Sequence, residues 1–230
     1  MVYCGLPVGE ASQMLRSTRR RKVDKKKGRN LRETFVCLVA GPAAGGKKAM
    51  LNCFVERTFE TAERDEGGGR YAANIVGPLP TGCDAGAVLI LRSVGEEELR
   101  GLLQEPQGLA PFDVVAFVYD SSSLESWEKC GEAVEGMAGL GCDLPTLLVA
   151  AKDDLPPHPH LFPATAKLCS DMGLPPPIPC SARLGDAGEL WTRILAAAAK
   201  PNLGIPETSA ARSSKAMRLM LQRSLVASGG

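Results

Sequence analysis

A continuous apolar run that ends in a glycine-rich loop constrains the fold of this chain more than any other feature. Residues 34–40 are apolar or β-branched, which is typical of a strand buried on both faces. Residues 41–47 read Gly-Pro-Ala-Ala-Gly-Gly-Lys, and residues 49–55 continue as an apolar helical segment. A strand, a glycine loop and a helix in this order predict a phosphate-binding loop at one edge of an α/β sheet.

The loop has the chemistry that a phosphate group needs. Glycines let successive backbone N–H groups turn inward around an anion, and the following helix directs its positive end at the same point. We expect phosphate contacts from Gly41, Ala44, Gly45, Gly46, Lys47, Lys48 and Ala49. The motif calls for Ser or Thr after the lysine, because that hydroxyl binds Mg²⁺. Lys48 stands there instead, which argues against metal-dependent hydrolysis.

Two later loops also follow predicted strands. Lys152-Asp153-Asp154 comes after the apolar residues 144–151, and Ser181-Ala182-Arg183 comes at the end of the short run 178–181. Ligands bind beyond the carboxyl ends of strands in an open α/β sheet, so both loops are predicted to face the phosphate loop. Buried donors and acceptors matched to guanine would reject adenine. The predicted guanine-binding residues are Lys152, Asp154, Ser181, Ala182 and Arg183.

Each of these residue types has a distinct part to play against guanine. The Asp154 carboxylate can accept two hydrogen bonds, from guanine N1 and N2, and the stem of Lys152 can lie along the purine ring. The backbone N–H groups of Ser181 and Ala182 can meet the exocyclic oxygen. A lysine and two aspartates alone would be an ordinary surface loop, so the prediction depends on three loops in the correct order.

Strands and helices alternate over the predicted globular domain, residues 34–200. This alternation predicts an α/β fold with a mostly parallel six-stranded sheet and helices on both faces. Residues 71–76 and 86–91 are two strands without a helix between them, so one edge is expected to be antiparallel. Residues 1–33 are interpreted as a basic linker, and residues 201–230 as a helical tail.

Charge and cysteine usage limit the classes of partner. The net charge is +1, but Lys and Arg crowd into residues 16–29, so the globular part is mildly acidic and is not expected to bind nucleic acid. Eight cysteines occur without a C-x-x-C pair, which favours reduced thiols in an intracellular compartment.

In sequence order, residues 41–47, Lys152-x-Asp154 and Ser181-Ala182 resemble the guanine-nucleotide motifs of Ras-like small GTPases. A closer resemblance is to the mitochondrial Rho family (Miro), and within it to the second, C-terminal GTPase domain of plants and green algae. Residues 19–27, 117–122, 151–155 and 201–208 carry that likeness. It implies a P-loop small-GTPase fold, bound GTP or GDP, protein partners of mitochondrial transport or dynamics, and a place on the mitochondrial outer membrane facing the cytosol.

The chain departs from the small-GTPase pattern where Mg²⁺ and water are handled. The Asp-x-x-Gly motif that senses the γ-phosphate falls on Arg92-Ser93-Val94-Gly95, and the glutamine that orients water falls on Glu96. Ala151 replaces the asparagine that precedes the base-binding lysine. Neither Thr58 nor Thr61 can be assigned as the Mg²⁺-binding switch residue. We therefore expect guanine-nucleotide binding with slow hydrolysis, and we assign no catalytic residue and no metal ligand.

Two parts of the family architecture are not expected here. The chain has no D-x-D-x-D-G loop, so we predict no calcium site. It ends about where the family's membrane anchor would begin, so membrane contact is expected only through an anchor that this chain lacks. The chain is interpreted either as a fragment or as a form that would be cytoplasmic.

Three interpretations remain open. One is a domain that binds GTP and hydrolyses it slowly, and another is a non-hydrolysing pseudo-GTPase that serves as an adaptor for other proteins. A third is an unrelated P-loop enzyme such as a kinase, although Lys152-x-Asp154 and Ser181-Ala182 would then have no role.

Overall fold

The computed structural model describes residues 33–56, 70–76, 87–105, 107–140, 144–185 and 187–199, and the expected basic linker and helical tail lie almost wholly outside these ranges. The described strands are β1 (Thr34–Ala40), β2 (Arg70–Val76), β3 (Ala87–Ser93), β4 (Val114–Asp120), β5 (Thr146–Ala151) and β6 (Ile178–Cys180). The described helices are α1 (Lys47–Glu56), α2 (Glu96–Gln104), α3 (Leu124–Gly139), α4 (Leu161–Met172) and α5 (Gly188–Ala199).

The strands form one six-stranded sheet in the order β2-β3-β1-β4-β5-β6. Four of the five pairings are parallel, and the edge strand β2 runs antiparallel to β3, with Ala73 opposite Ile90. The predicted α/β fold with its mostly parallel sheet is therefore confirmed. Strand β1 lies between β3 and β4, so the strands that follow β1 in sequence are added first on one side of it and then on the other. Such a reversal opens a crevice beyond the carboxyl end of β1, where the glycine loop begins.

The two faces of the sheet are covered by different helices. Alternate residues of β1 show this most clearly, since side chains of a strand point to opposite faces. Val36 and Leu38 belong to the core that includes residues of α2, α3 and α4, whereas Cys37 and Val39 belong to the core that includes residues of α1 and α5. Burial on both faces explains why the central strands are continuous apolar runs.

Several element boundaries differ from the sequence prediction by one or two residues, and the end of β3 is the one that bears on the site. Strand β3 continues to Ser93 rather than ending at residue 91, because Arg92 pairs with Leu38 on one side and with Tyr71 on the other. Helix α4 begins at Leu161 and carries Pro163 in its first turn. A proline is tolerated there because the first turn of a helix has no partners for its N–H groups.

A transmembrane helix requires about 20 apolar residues. Within the described ranges, no helix is both long enough and apolar enough to span a bilayer.

Candidate nucleotide-binding site

The phosphate loop is pressed against strand β4, and this contact determines which residues it can contain. Gly41 has a φ of +141°, and a Cβ atom at this position would lie 2.2 Å from the Val118 carbonyl oxygen. Ala44 also adopts a positive φ, of +60°, and the Gly45 N–H donates to the Pro42 carbonyl oxygen at 3.2 Å. The loop therefore curls tightly beyond β1, and no other residue could replace Gly41 without displacing β4.

Lys47, the first residue of α1, folds back over the loop. Its Nζ donates to the carbonyl oxygens of Gly41 at 2.5 Å and of Pro42 at 2.7 Å. Burial lowers the pKa of the Lys47 ammonium, and the negative charge of Glu96 acts in the opposite direction. Lys48 and Ala49, the next two residues, are exposed. Of the two lysines, Lys47 is thus the one held within the loop.

Lys152 begins the loop after β5, and its side chain is anchored to the end of β4. Its backbone has a positive φ of +59°, and its Nζ lies 2.5 Å from Oδ2 of Asp120. The other Asp120 oxygen, Oδ1, accepts hydrogen bonds from the Ser122 N–H at 2.9 Å and from the Ser122 hydroxyl at 2.6 Å. Burial alone would raise the pKa of Asp120, but the bonds from Lys152 and Ser122 and the charge of Lys152 lower it.

Asp154 and Ser181 are brought together from different loops. The Ser181 hydroxyl donates to Oδ1 of Asp154 at 2.7 Å and accepts the Leu184 N–H at 3.2 Å. Arg183, which is 79% exposed, approaches Oδ2 of Asp154 at 3.5 Å. The hydrogen bond from Ser181 is the main cause of the lowered pKa of Asp154. An ionised carboxylate has about four acceptor positions, so Asp154 can still accept two further hydrogen bonds.

The three loops adjoin one another at the carboxyl edge of the sheet. A Cβ atom at Gly46, where φ is +101°, would lie 2.8 Å from the Cβ of Ala151, so the phosphate loop touches the end of β5. The Asp153 N–H donates to the Cys180 carbonyl oxygen at 3.3 Å, which joins the loop after β5 to the end of β6. Ala182 follows Ser181 and is partly exposed. The glycine loop, the loop after β5 and the end of β6 are therefore contiguous.

Arg92 lies at the position of the expected γ-phosphate sensor, and its contacts are with α2 and the sheet. Its Nη2 donates to Oε1 of Glu98 at 2.6 Å, in an ion pair of which both side chains are about one-fifth exposed. The guanidinium carbon lies 5.5 Å from the ring centroid of Tyr71 and 5.9 Å from that of Phe112. These contacts tie Arg92 to α2, the helix that follows the sensor position.

The described residues contain no group of three or more His, Cys, Asp or Glu side chains that could hold a metal ion. Positive side chains, the exposed Lys48 and the ion-paired Arg92, occupy two positions where Mg²⁺ ligands are expected. Mg²⁺ requires oxygen ligands, which lysine and arginine do not supply. The two candidate switch residues, Thr58 and Thr61, lie outside the described residues.

Sequence reasoning did not single out Asp120 as part of the site. It is the last residue of β4, the strand between β1 and β5, and it is 8% exposed. The rule that ligands bind beyond strand ends applies to β4 as well, so the acidic residue at that end was the available signal.

No family model matches this chain. It is 38% identical to mitochondrial Rho GTPase 1 of Arabidopsis thaliana, in an alignment that covers 99% of this chain and 35% of that protein. It is 38% identical to mitochondrial Rho GTPase 2 of the same plant, over 91% of this chain and 33% of the relative. Mitochondrial Rho GTPase 1 of Saccharomyces cerevisiae is 30% identical, over 92% of this chain and 33% of that relative. The chain thus spans about a third of the length of the curated relatives it matches.

Proposed function

Because this chain is related over nearly its whole length to the mitochondrial Rho GTPases, we propose that it is a guanine-nucleotide-binding domain, corresponding to the C-terminal GTPase domain of that family. The observation that carries the proposal is the contact between Gly46 of the phosphate loop and Ala151, which precedes the base-binding residues. It supports the proposal because the glycine loop then lies next to the loop that begins at Lys152, so that one nucleotide could contact both.

Different residues contact the phosphates and the base of the proposed nucleotide. The N–H groups of the phosphate loop and the Lys47 ammonium take the phosphates, at the positive end of α1. The carboxylate of Asp154, fixed by the Ser181 hydroxyl at 2.7 Å, accepts from guanine N1 and N2. Adenine presents an acceptor at its N1, so it would leave the carboxylate facing a lone pair. GDP and GTP are therefore the preferred ligands.

Hydrolysis is proposed to be very slow. Phosphoryl transfer depends on positioning and on neutralising the developing charge with Mg²⁺ and hydrogen-bond donors. Lys48 has no hydroxyl for the metal, Arg92 is bound to Glu98, and Glu96 replaces the glutamine that would orient water. The positive charges of Lys47 and Lys48 can balance part of the phosphate charge without metal, which favours nucleotide holding over turnover.

An adaptor without hydrolysis is the second candidate, and the ion pair between Arg92 and Glu98 favours it. In a nucleotide-driven switch, the sensor residue lets go of or takes hold of the γ-phosphate and the following segment moves. Here the residue at that position is bonded to Glu98 of α2 at 2.6 Å, and its guanidinium also lies near the rings of Tyr71 and Phe112. A helix held in this way would present the same surface to a protein partner with either nucleotide.

The cellular setting is part of the proposal. The relatives are named as mitochondrial proteins, so we place this domain at mitochondria, with partners among the proteins of mitochondrial transport or dynamics. The proposed site on the outer membrane, facing the cytosol, comes from the family resemblance.

A single-turnover assay separates the two candidates. Excess protein is mixed with γ-labelled GTP or with labelled GDP, in Mg²⁺ or in EDTA, and both retained nucleotide and released phosphate are measured. We expect GTP to be retained, with no phosphate release above that of Lys47→Ala. Lys129→Ala, which removes an exposed lysine on α3, is the matched control and should behave as the unsubstituted protein. Rapid Mg²⁺-dependent release would overturn slow hydrolysis, and failure to retain either GTP or GDP would leave only the adaptor.

A further inference from the structure

Two residues at the end of β4 contact both the side chain and the backbone of Lys152, the residue that follows β5. Asp120, the last residue of β4, contacts the Lys152 ammonium through Oδ2 at 2.5 Å. The next residue, Ser121, donates its hydroxyl to the Lys152 carbonyl oxygen at 3.3 Å. Ser121 also donates its N–H to the Ala151 carbonyl oxygen at 2.9 Å. The side chain and the backbone of Lys152 are thereby fixed to the same two residues.

The Asp120 carboxylate is itself rigidly placed. It is 8% exposed, and the Ser122 N–H and hydroxyl both donate to its second oxygen, at 2.9 and 2.6 Å. The backbone N–H of Asp120 donates to the hydroxyl of Ser126 at 2.9 Å, which connects this strand end to the first turn of α3. Because these hydrogen bonds fix the Asp120 carboxylate, the Lys152 ammonium must take the position that the carboxylate sets.

This arrangement matters because Lys152 has a long side chain with much rotamer freedom to lose on binding. With its ammonium held at Asp120, the four-carbon stem of Lys152 is restrained as well, and its methylene groups can offer an apolar surface to a planar ring. The entropy of ordering the stem is then lost on folding rather than when a ligand binds.

We propose that Asp120 is a positioning residue for base recognition, which acts through Lys152 to hold the lysine stem against the purine ring. The inference rests on the proposed guanine-nucleotide function and adds to it a residue outside the phosphate loop and the base-binding loops. It concerns the base alone, since the Asp120 carboxylate is bonded to Lys152 and to Ser122 and not to the phosphate loop.

The test compares Asp120→Asn with the unsubstituted protein by titration with GDP and with inorganic pyrophosphate. Asparagine keeps an acceptor for Ser122 but presents no negative charge to the lysine. We expect GDP affinity to fall roughly ten-fold, as for loss of one charge-assisted hydrogen bond, with pyrophosphate affinity unchanged. Glu125→Gln is the matched control, because it breaks the exposed ion pair with Lys129 on α3 and should change neither affinity.

A second comparison isolates the pair. In the Lys152→Met background, Asp120→Asn should cause no further loss of GDP affinity, since its effect passes through the lysine. Equal losses for GDP and pyrophosphate, or an undiminished effect without Lys152, would assign Asp120 a merely structural role and overturn the proposal. Unchanged GDP affinity in Asp120→Asn would overturn it too, while leaving the proposed function intact. Absence of GDP binding in the unsubstituted protein would instead overturn the proposed function, and this inference with it.

Discussion

Substituting Gly46 tests whether the phosphate loop and the base-binding loop are in direct contact. In Gly46→Ala, the alanine backbone must keep a φ of +101°, and its Cβ would lie 2.8 Å from the Cβ of Ala151. A left-handed backbone at a non-glycine residue costs about 1–3 kcal/mol. The close approach adds to this, because the opposing atom is a short side chain on a buried strand end that cannot rotate away.

We therefore expect Gly46→Ala to lower the free energy of unfolding by at least about 2 kcal/mol, measured by urea unfolding with circular dichroism. For a domain of this size, that corresponds to a fall in Tm of roughly 4–8 °C. Gly136→Ala is the control, since Gly136 is an exposed helical residue with open space around it. It should raise stability by about 0.5–1 kcal/mol, because alanine favours helix.

A double-mutant cycle separates the two causes of the loss. Ala151→Gly removes the opposing methyl group, so it should relieve the steric part of Gly46→Ala and leave the backbone part, with a coupling energy of about 1 kcal/mol. If Gly46→Ala were as stable as the unsubstituted protein, or if the two substitutions were additive, the two loops would not be in contact and the reasoning would be refuted.

Three further predictions concern individual side chains. Lys47→Met should weaken GDP binding at least about ten-fold in calorimetric titration, since a charge-assisted hydrogen bond to phosphate is lost, whereas Lys129→Met should not; equal affinities would count against the phosphate role. Asp154→Asn should reverse the preference between GDP and xanthosine diphosphate, because an amide donor then faces the base; an unchanged preference would remove Asp154 from base recognition. The lowered pKa of Asp154 means that its bond from Ser181 stabilises the fold above the usual carboxyl range and loses this contribution as pH falls. The Tm difference between the unsubstituted protein and Ser181→Ala should thus be larger at pH 7 than at pH 3, and a difference independent of pH would refute the linkage.

Much of the sheet was predictable from the sequence because its central strands are buried on both faces. Such strands are continuous apolar runs, and the bounds of β1 were predicted to the residue. The end of β3 was missed because a charged residue such as Arg92 is more typical of a loop than of a buried strand. A charged side chain continues that strand only because Glu98, Tyr71 and Phe112 surround its guanidinium, and two of those partners are distant in sequence.

The site shows the same division between local and long-range information. Glycine spacing indicated the phosphate loop, since the need for a positive φ at Gly41 and Gly46 is a local property. The ion pair between Lys152 and Asp120 joins residues 32 positions apart, and no spacing rule relates them. Likewise, the exposure of Lys48 depends on which side of α1 packs against the sheet, which only the assembled fold determines.

The most direct test of guanine-nucleotide binding is a titration of the unsubstituted protein with GDP and with ADP, each in Mg²⁺ and in EDTA. A carboxylate matched to guanine should make GDP at least about 100-fold tighter than ADP. The exposed Lys48 and the ion-paired Arg92 should make that affinity nearly the same with and without the metal. ADP binding as tight as GDP binding, or no binding of GDP at all, would contradict the proposed function.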